Sequence, residues 1–246
     1  MTQHTSPQRH RHSGGARISI FASAPTTHHH RVLRRTASLL PAITLLLSLL
    51  PAAAAQQNTA PIPPSPFGGN HEFGGIVGYS PFSGPVWGYD QNVRYLPVIL
   101  RYSYRLTQHR NWALRYAPEL TALSMMYERA PSTTNPAAPI AHFGAGFSPE
   151  GFQVDYLPRR KAQPFLSNDA GFIYYADRVL SPQGSQWMYT VDFGIGVNIF
   201  VKPHDALTAG FRYQHLSNAN ISIHNPGTDA DTFYIGFSHF HTHGVN

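Results

Sequence analysis

With no cysteine among its 246 residues, the chain cannot build disulfides, cysteine zinc sites, thiol nucleophiles or a lipidated cysteine anchor. Its formal charge of +6 belongs to a leader: Arg9, Arg11, Arg17, Arg31, Arg34 and Arg35 precede residue 56 with no Asp or Glu among them, and the 12 acids that follow are matched by the remaining Lys and Arg. A neutral remainder removes the basic face on which nucleic-acid binding rests, and 15 Phe and 13 Tyr at 12% charge fit an all-β chain with an aromatic apolar surface better than a soluble α/β enzyme.

The first 55 residues read as a leader. Arg34 and Arg35 precede a short apolar run, Leu39–Leu50, and then Pro51 and the small residues Ala52–Ala55. A positive start, an apolar core and an A-x-A-like end are the pattern of a secretory signal, here spanning 34–55 with cleavage near Ala55. The run falls short of the roughly 20 apolar residues that a transmembrane helix needs. Residues 1–31, rich in His, Ser and Thr, read as an upstream extension, with translation starting near Val32. Residues 56–70 carry Pro61, Pro63, Pro64, Pro66, Gly68 and Gly69 and read as an extended linker without a core.

From His71 the pattern has period two, the signature of strands. Phe73, Gly75, Val77 and Tyr79 form one face of a first strand. Val98, Leu100, Tyr102, Tyr104 and Leu106 alternate with Ile99, Arg101, Ser103 and Arg105 in a second. Trp112, Leu114, Tyr116, Leu120 and Ala122 oppose Arg115, Glu119 and Thr121 in a third, and Phe152, Val154 and Tyr156 oppose Gln153 and Asp155 in a fourth. A fifth, Phe165–Tyr175, is aromatic with blurred alternation. The sixth is the clearest, with Trp187, Tyr189, Val191, Phe193, Ile195, Val197, Ile199 and Val201 all on odd positions. A seventh, Leu207–Ser217, and an eighth, Thr232–Phe240, flank a polar loop containing Pro226 and Gly227.

Eight alternating strands can close with the apolar face inward, as in a soluble exported lipid-binding barrel, or outward, as in a membrane barrel. The polar face carries Arg101, Arg105, Arg115, Glu119, Asp155, Asp192 and Arg212. So many charges suit a narrow barrel where they pair with one another. The expected fold is therefore an all-β, eight-stranded antiparallel transmembrane β-barrel over residues 71–240, preceded by a signal peptide and followed by a tail, 241–246. With a periplasmic N-terminus, the turns near 107–110, 158–163 and 202–204 are short and inside. The loops at 81–91, 129–141 and 218–230 are longer and outside, with 181–184 a short exception. The seventh strand then ends at the outer boundary of the membrane, where lipopolysaccharide sits.

At that end His215 and Ser217 share a face with Leu207, Ala209, Phe211 and Tyr213, opposite Arg212 and Gln214. Residues two apart on a strand have Cα atoms about 6–7 Å apart and parallel side chains. An imidazole can thus reach a serine hydroxyl, which needs a base, while the base needs an acid to fix its tautomer. Asp229 and Asp231, across the loop, share odd parity with Phe233, Ile235 and Phe237. On spacing alone the pair equally fits polar residues solvating a strand end. The run His215-Leu216-Ser217-Asn218-Ala219, followed by Asn225-Pro226-Gly227-Thr228-Asp229, however, resembles the lipid A 3-O-deacylase (acyloxyacyl hydrolase-like) family. The resemblance implies Ser217 as nucleophile, His215 as base, Asp229 as acid and Asn218 in the oxyanion-stabilising region. Family members carry Glu at the acid position, so the shorter Asp229 is a departure, and Asp231 is the alternative acid.

The implied reaction is hydrolysis of an ester-linked acyl chain of lipid A, with no metal and no other cofactor. His239, His241 and His243 alternate but have no acid or fourth ligand beside them, and no G-x-S-x-G elbow or phosphate-binding glycine loop occurs. The implied partners are lipopolysaccharide and the outer membrane; a homodimer is left open. The competing reading is a non-enzymatic structural or adhesive barrel of the outer membrane.

Overall fold

The structure, a computed structural model, describes residues 65–129 and 139–242. The leader with its signal segment, most of the Pro-rich stretch and the last tail residues lie outside the described residues. Eight antiparallel strands form the wall: β1 (His71–Tyr79), β2 (Val93–Gln108), β3 (Trp112–Tyr116 continued by Glu119–Arg129), β4 (Pro139–Tyr156), β5 (Ala162–Val179), β6 (Ser185–Lys202), β7 (Asp205–Ser217) and β8 (Thr228–His241). Each pairs with its sequence neighbour, and β1 pairs with β2 on one side and β8 on the other, His71 opposite His241 and Tyr79 opposite Phe233. The ring is closed, so among the described residues the strands of the wall have partners on both sides, as a bilayer requires.

The alternation read from the sequence is the alternation of the wall. On β6 the side chains of Met188, Thr190, Asp192, Asn198 and Phe200 are buried in the interior, while Trp187, Tyr189, Phe193, Ile195 and Ile199 are exposed on the outside. The same outer band includes Phe233 and Ile235, the latter 72% exposed. A surface this apolar has lipid as its solvent.

Inside, charges pair in a network to which all eight strands contribute. Glu119 accepts from Arg101 (Nε 2.8 Å, Nη2 2.6 Å) and from Arg212 (Nη1 2.7 Å, Nη2 2.9 Å). Asp169 lies 3.6 Å from Arg212, and Gln214 donates to Asp192 at 3.2 Å. Arg115 donates to Asp155 at 2.8 Å and Gln153 bridges Asp155 to Arg101. Glu72 accepts from Ser103 and Ser238. Charges with such partners can be buried; alone each would carry a heavy desolvation cost. Apolar clusters close both ends: Val93, Tyr95, Met126, Tyr175, Met188 and Leu216 under the long loops, and Phe200, Ala206 and Phe240 beside the short turns.

Three details depart from expectation. The fourth strand is 18 residues long and begins at Pro139, where a loop to Ala141 was expected. A register shift between Phe147 and Glu150 hides it: His142, Gly146 and Ser148 are buried, but beyond the bulge it is Gly151, Gln153 and Asp155 that are. The blurred fifth strand is regular, with Phe165, Ile173 and Tyr175 pointing into the interior core. The described end of the Pro-rich stretch is also tied to the barrel. Ser65 Oγ donates to Pro158 O, Gly68 N donates to Pro203 O, Arg115 donates to Gly69 O, and Phe67 packs on Phe200.

Candidate active site

Strand β7 places the site. Its inward residues are fixed: Arg212 by Glu119 and Asp169, Gln214 by Asp192, and Leu216, fully buried, in the apolar cluster. The outward residues between them, Tyr213, His215 and Ser217, are therefore presented in register on the outer wall, at the end carrying the long loops. Across the β6 side, Tyr189 stands opposite Ser217, Val191 opposite His215 and Phe193 opposite Tyr213. Across the β8 side, Asp229 stands opposite His215, while Asp231 stands opposite Tyr213.

That register puts only one of the two acids against the imidazole. The Asp229 Oδ1 accepts a hydrogen bond from His215 Nδ1 at 2.7 Å. Asp231 is two cross-strand pairs further down, and its carboxylate faces Gly84 instead. A carboxylate can only accept, so the imidazole proton sits on Nδ1 and Nε2 presents its lone pair. Ser217, two residues along the same face, accepts from Ala219 N at 3.4 Å. Among the described residues its hydroxyl has no hydrogen bond to the His215 ring, a contact that in such sites often tightens only around substrate.

Beyond Ser217 the chain turns sharply, with Ala219 and Asn220 at φ of 49° and 62°. Left-handed backbone costs a non-glycine residue free energy, and strain of this kind concentrates at functional sites. Asn218 holds the turn together. Its Nδ2 donates to Ser222 Oγ (2.6 Å) and His224 O (2.9 Å), its Oδ1 accepts from Asn220 N, and its own N–H donates to Asn225 Oδ1 at 3.0 Å. Asn218 thus has no donor aimed at Ser217 in this arrangement; the N–H that points at the serine oxygen is that of Ala219. At the far side of the loop Gly227 has φ +61°, and a Cβ there would lie 3.3 Å from His215 Cε1. A side chain there would be strained on both counts.

The part that sequence reasoning did not find comes from the loop after β1. Its Ser83–Gly84 pairs with Asp229–Ala230. Three successive backbone N–H groups, of Val86, Trp87 and Gly88, donate to Asp229 Oδ2 at 2.8, 2.7 and 2.9 Å. Tyr89 N and Asp90 N donate to Pro226 O and Gly227 O. The indole of Trp87 stands edge-on to His215 (ring centroids 5.6 Å apart), to Tyr213 (5.7 Å) and to Phe193 (6.5 Å). Backbone donors leave no side-chain signature in a sequence. The only available signal was a tryptophan between Val86 and Gly88 in a loop expected on the outside. Among the described residues no group of His, Asp and Glu is arranged to hold a metal ion; His239 is hydrogen-bonded to Asp205 at 2.7 Å.

The model of the lipid A 3-O-deacylase (PagL) family matches residues 97–238, more than half of the chain, from within β2 to within β8. No curated protein matches it. Solved structures similar to the chain include that of the outer membrane enzyme PagL, 15% identical over 67% of this chain and 97% of that one, TM-score 0.48. Another is Neisserial surface protein A, 14% identical over 70% and 97%, also at 0.48. At these values the likenesses add nothing to what the strand pairing already gives. The family match, over the strands that bear His215, Ser217 and Asp229, is what identifies the chain: it belongs to the lipid A 3-O-deacylase (PagL) family, ester hydrolases of the outer membrane.

Proposed function

We propose that Ser217, His215 and Asp229 are the triad that removes the 3-O-linked acyl chain of lipid A. The observation that carries this reading is the 2.7 Å hydrogen bond from His215 to Asp229 on the outer wall, on the face shared with Ser217. A Ser-His-acid set facing lipid can only meet a substrate that lies in the membrane. Beside it Tyr189, Val191, Phe193 and Tyr213 continue the apolar wall, along which an acyl chain can lie without leaving hydrocarbon.

In the first step Ser217 Oγ attacks the ester carbonyl carbon and His215 Nε2 takes its proton; Asp229 holds the imidazolium that forms. The carbonyl electrons move to oxygen, and the Ala219 N–H, already pointed at Ser217 Oγ, donates to the oxyanion. One such donor is worth about 3–4 kcal/mol. Asn218 serves by holding the strained turn that aims this N–H. Collapse breaks the bond to the sugar oxygen, which receives the proton from His215 Nε2, leaving the acyl chain on Ser217. Water, deprotonated by His215, then releases it as a fatty acid.

The long loops face outward and the short turns lie in the periplasm, so the triad meets the leaflet that holds lipopolysaccharide. The leader directs export, with the mature chain starting near Gln56, which N-terminal sequencing checks. Mass spectrometry of lipid A from cells with and without the protein tests the function. The expected result is loss of one acyl chain, and unchanged lipid A would favour a non-enzymatic barrel.

A further inference from the structure

The loop 80–92 does more at the site than cover a barrel rim. A carboxylate with two oxygens can swing about its χ2, and an acid that swings does not hold an imidazole. Here Oδ2 is gripped by the three consecutive N–H groups of Val86, Trp87 and Gly88, which leaves only Oδ1 to meet His215. The same three residues bring the Trp87 indole edge-on against the imidazole that Asp229 orients. The loop reaches this depth because Gly88 lies flat on β8: a Cβ at Gly88 would sit 2.5 Å from Thr228 Cα. Two more backbone bonds, from Tyr89 and Asp90 to Pro226 and Gly227, tie it to the far side of the 218–227 loop.

We propose that Trp87 and the backbone of residues 86–88 are a positioning device for catalysis, fixing acid and imidazole together against the barrel wall. This rests on the triad reading above. It also accounts for the shorter acid. A carboxylate seated in a three-donor cradle directly opposite His215 reaches Nδ1 with the short side chain of Asp. The alternative role for Trp87, since its ring also meets Phe193 and Tyr213, is a wall for the acyl chain; the two are separable by experiment.

The test uses the full-length protein in detergent micelles, with two readouts. One is the labelling rate of Ser217 by a small fluorophosphonate, which needs the activated serine but has no long acyl chain. The other is kcat and KM for fatty-acid release from purified lipopolysaccharide. Trp87→Ala should slow both labelling and kcat roughly ten- to a hundred-fold, the scale of a misplaced catalytic group, with KM little changed. Trp87→Phe, which keeps a ring edge for the imidazole, should restore most of both. Gly88→Ala, which pushes the loop off Thr228 while leaving Trp87 in the chain, should show the same double loss in a barrel that still migrates heat-modifiably. Trp87→Ala labelled at the wild-type rate, whether or not KM rises, would overturn the inference and leave the triad standing; so would a Gly88→Ala barrel as fast as wild type. A wild-type barrel that neither takes the label nor releases fatty acid would overturn the triad reading itself, and this inference with it.

Discussion

Replacing Asp229 by Asn should damage the enzyme more than replacing it by Ala. Asp229 accepts four hydrogen bonds, at Oδ1 from His215 Nδ1 and at Oδ2 from the N–H groups of Val86, Trp87 and Gly88, with the Tyr213 hydroxyl also close to the carboxylate. In Asn one of the two positions becomes an NH2 group. Placed at the Oδ2 site, it would confront three N–H donors, and each donor left unsatisfied in a buried place costs about 1–3 kcal/mol. Placed at the Oδ1 site, it confronts the His215 ring, which can respond by moving its proton to Nε2 and accepting at Nδ1, while the Tyr213 hydroxyl can turn to accept. Three donors outweigh one, so the amide oxygen stays with the loop and the imidazole is locked with its proton on the wrong nitrogen. Such a ring cannot take the Ser217 proton. In the serine-histidine-acid template a wrong tautomer costs about ten-thousand-fold in kcat, or about 5.5 kcal/mol of barrier. Asp229→Ala removes the acid but imposes no tautomer, so its loss should be smaller. The assay is kcat for fatty-acid release from lipopolysaccharide, with heat-modifiable migration reporting the barrel. Asp229→Asn within about ten-fold of wild type, or milder than Asp229→Ala, would refute the reasoning.

Ser217→Ala should abolish lipid A deacylation, read by mass spectrometry. Its stability cost should stay within about 0.5 kcal/mol, because the hydroxyl accepts only the 3.4 Å contact from Ala219. His215→Asn should likewise remove activity, since a serine hydroxyl without a base is a poor nucleophile. Asp231→Ala should leave turnover essentially unchanged, because Asp231 faces Tyr213 and Gly84 rather than the imidazole; a large loss would mean the acid has been misidentified. Ile195→Arg, on the outer wall of β6, should cost about 2–4 kcal/mol in lipid. Asn198→Ser, inside, should be milder although it disturbs the 2.7 Å bond from Thr208. Equal effects in a folding titration would contradict lipid on the outside.

The wall was legible wherever outward residues were all apolar and inward ones all polar, as on β6. It blurred where the interior itself is apolar. Phe165, Ile173 and Tyr175 fill the core from β5, so aromatic residues occur on both faces. It was lost where a bulge changes parity inside one strand, as between Thr121 and Ser124 on β3 and again between Phe147 and Glu150 on β4. The proposed triad could be picked out as a motif, but which of Asp229 and Asp231 lies against His215 could not, because both have the same parity and only the register of β8 on β7 separates them. The grip on Asp229 lay beyond reach. It is made by main-chain N–H groups more than 140 residues away in sequence, and any residue but proline carries one.

The interior network and the outer chemistry are two faces of one strand. A strand alternates, so fixing every second residue of β7 fixes the rest. Arg212 shares Glu119 with Arg101 and so is held through two other strands, Gln214 is held by Asp192, and Leu216 is packed without exposure. The backbone carrying His215 and Ser217 therefore cannot slide or twist without breaking buried charge pairs, whose rupture costs about 3–5 kcal/mol each. A lipid-facing site has no cleft walls to hold its residues, and here the holding is done from behind. The loops supply only what the strand cannot, which is a clamp on Asp229 from residues 86–88 and a donor toward Ser217 from the strained turn at Ala219. The paired charges of the interior are thus what would allow the proposed triad to stand on an open wall.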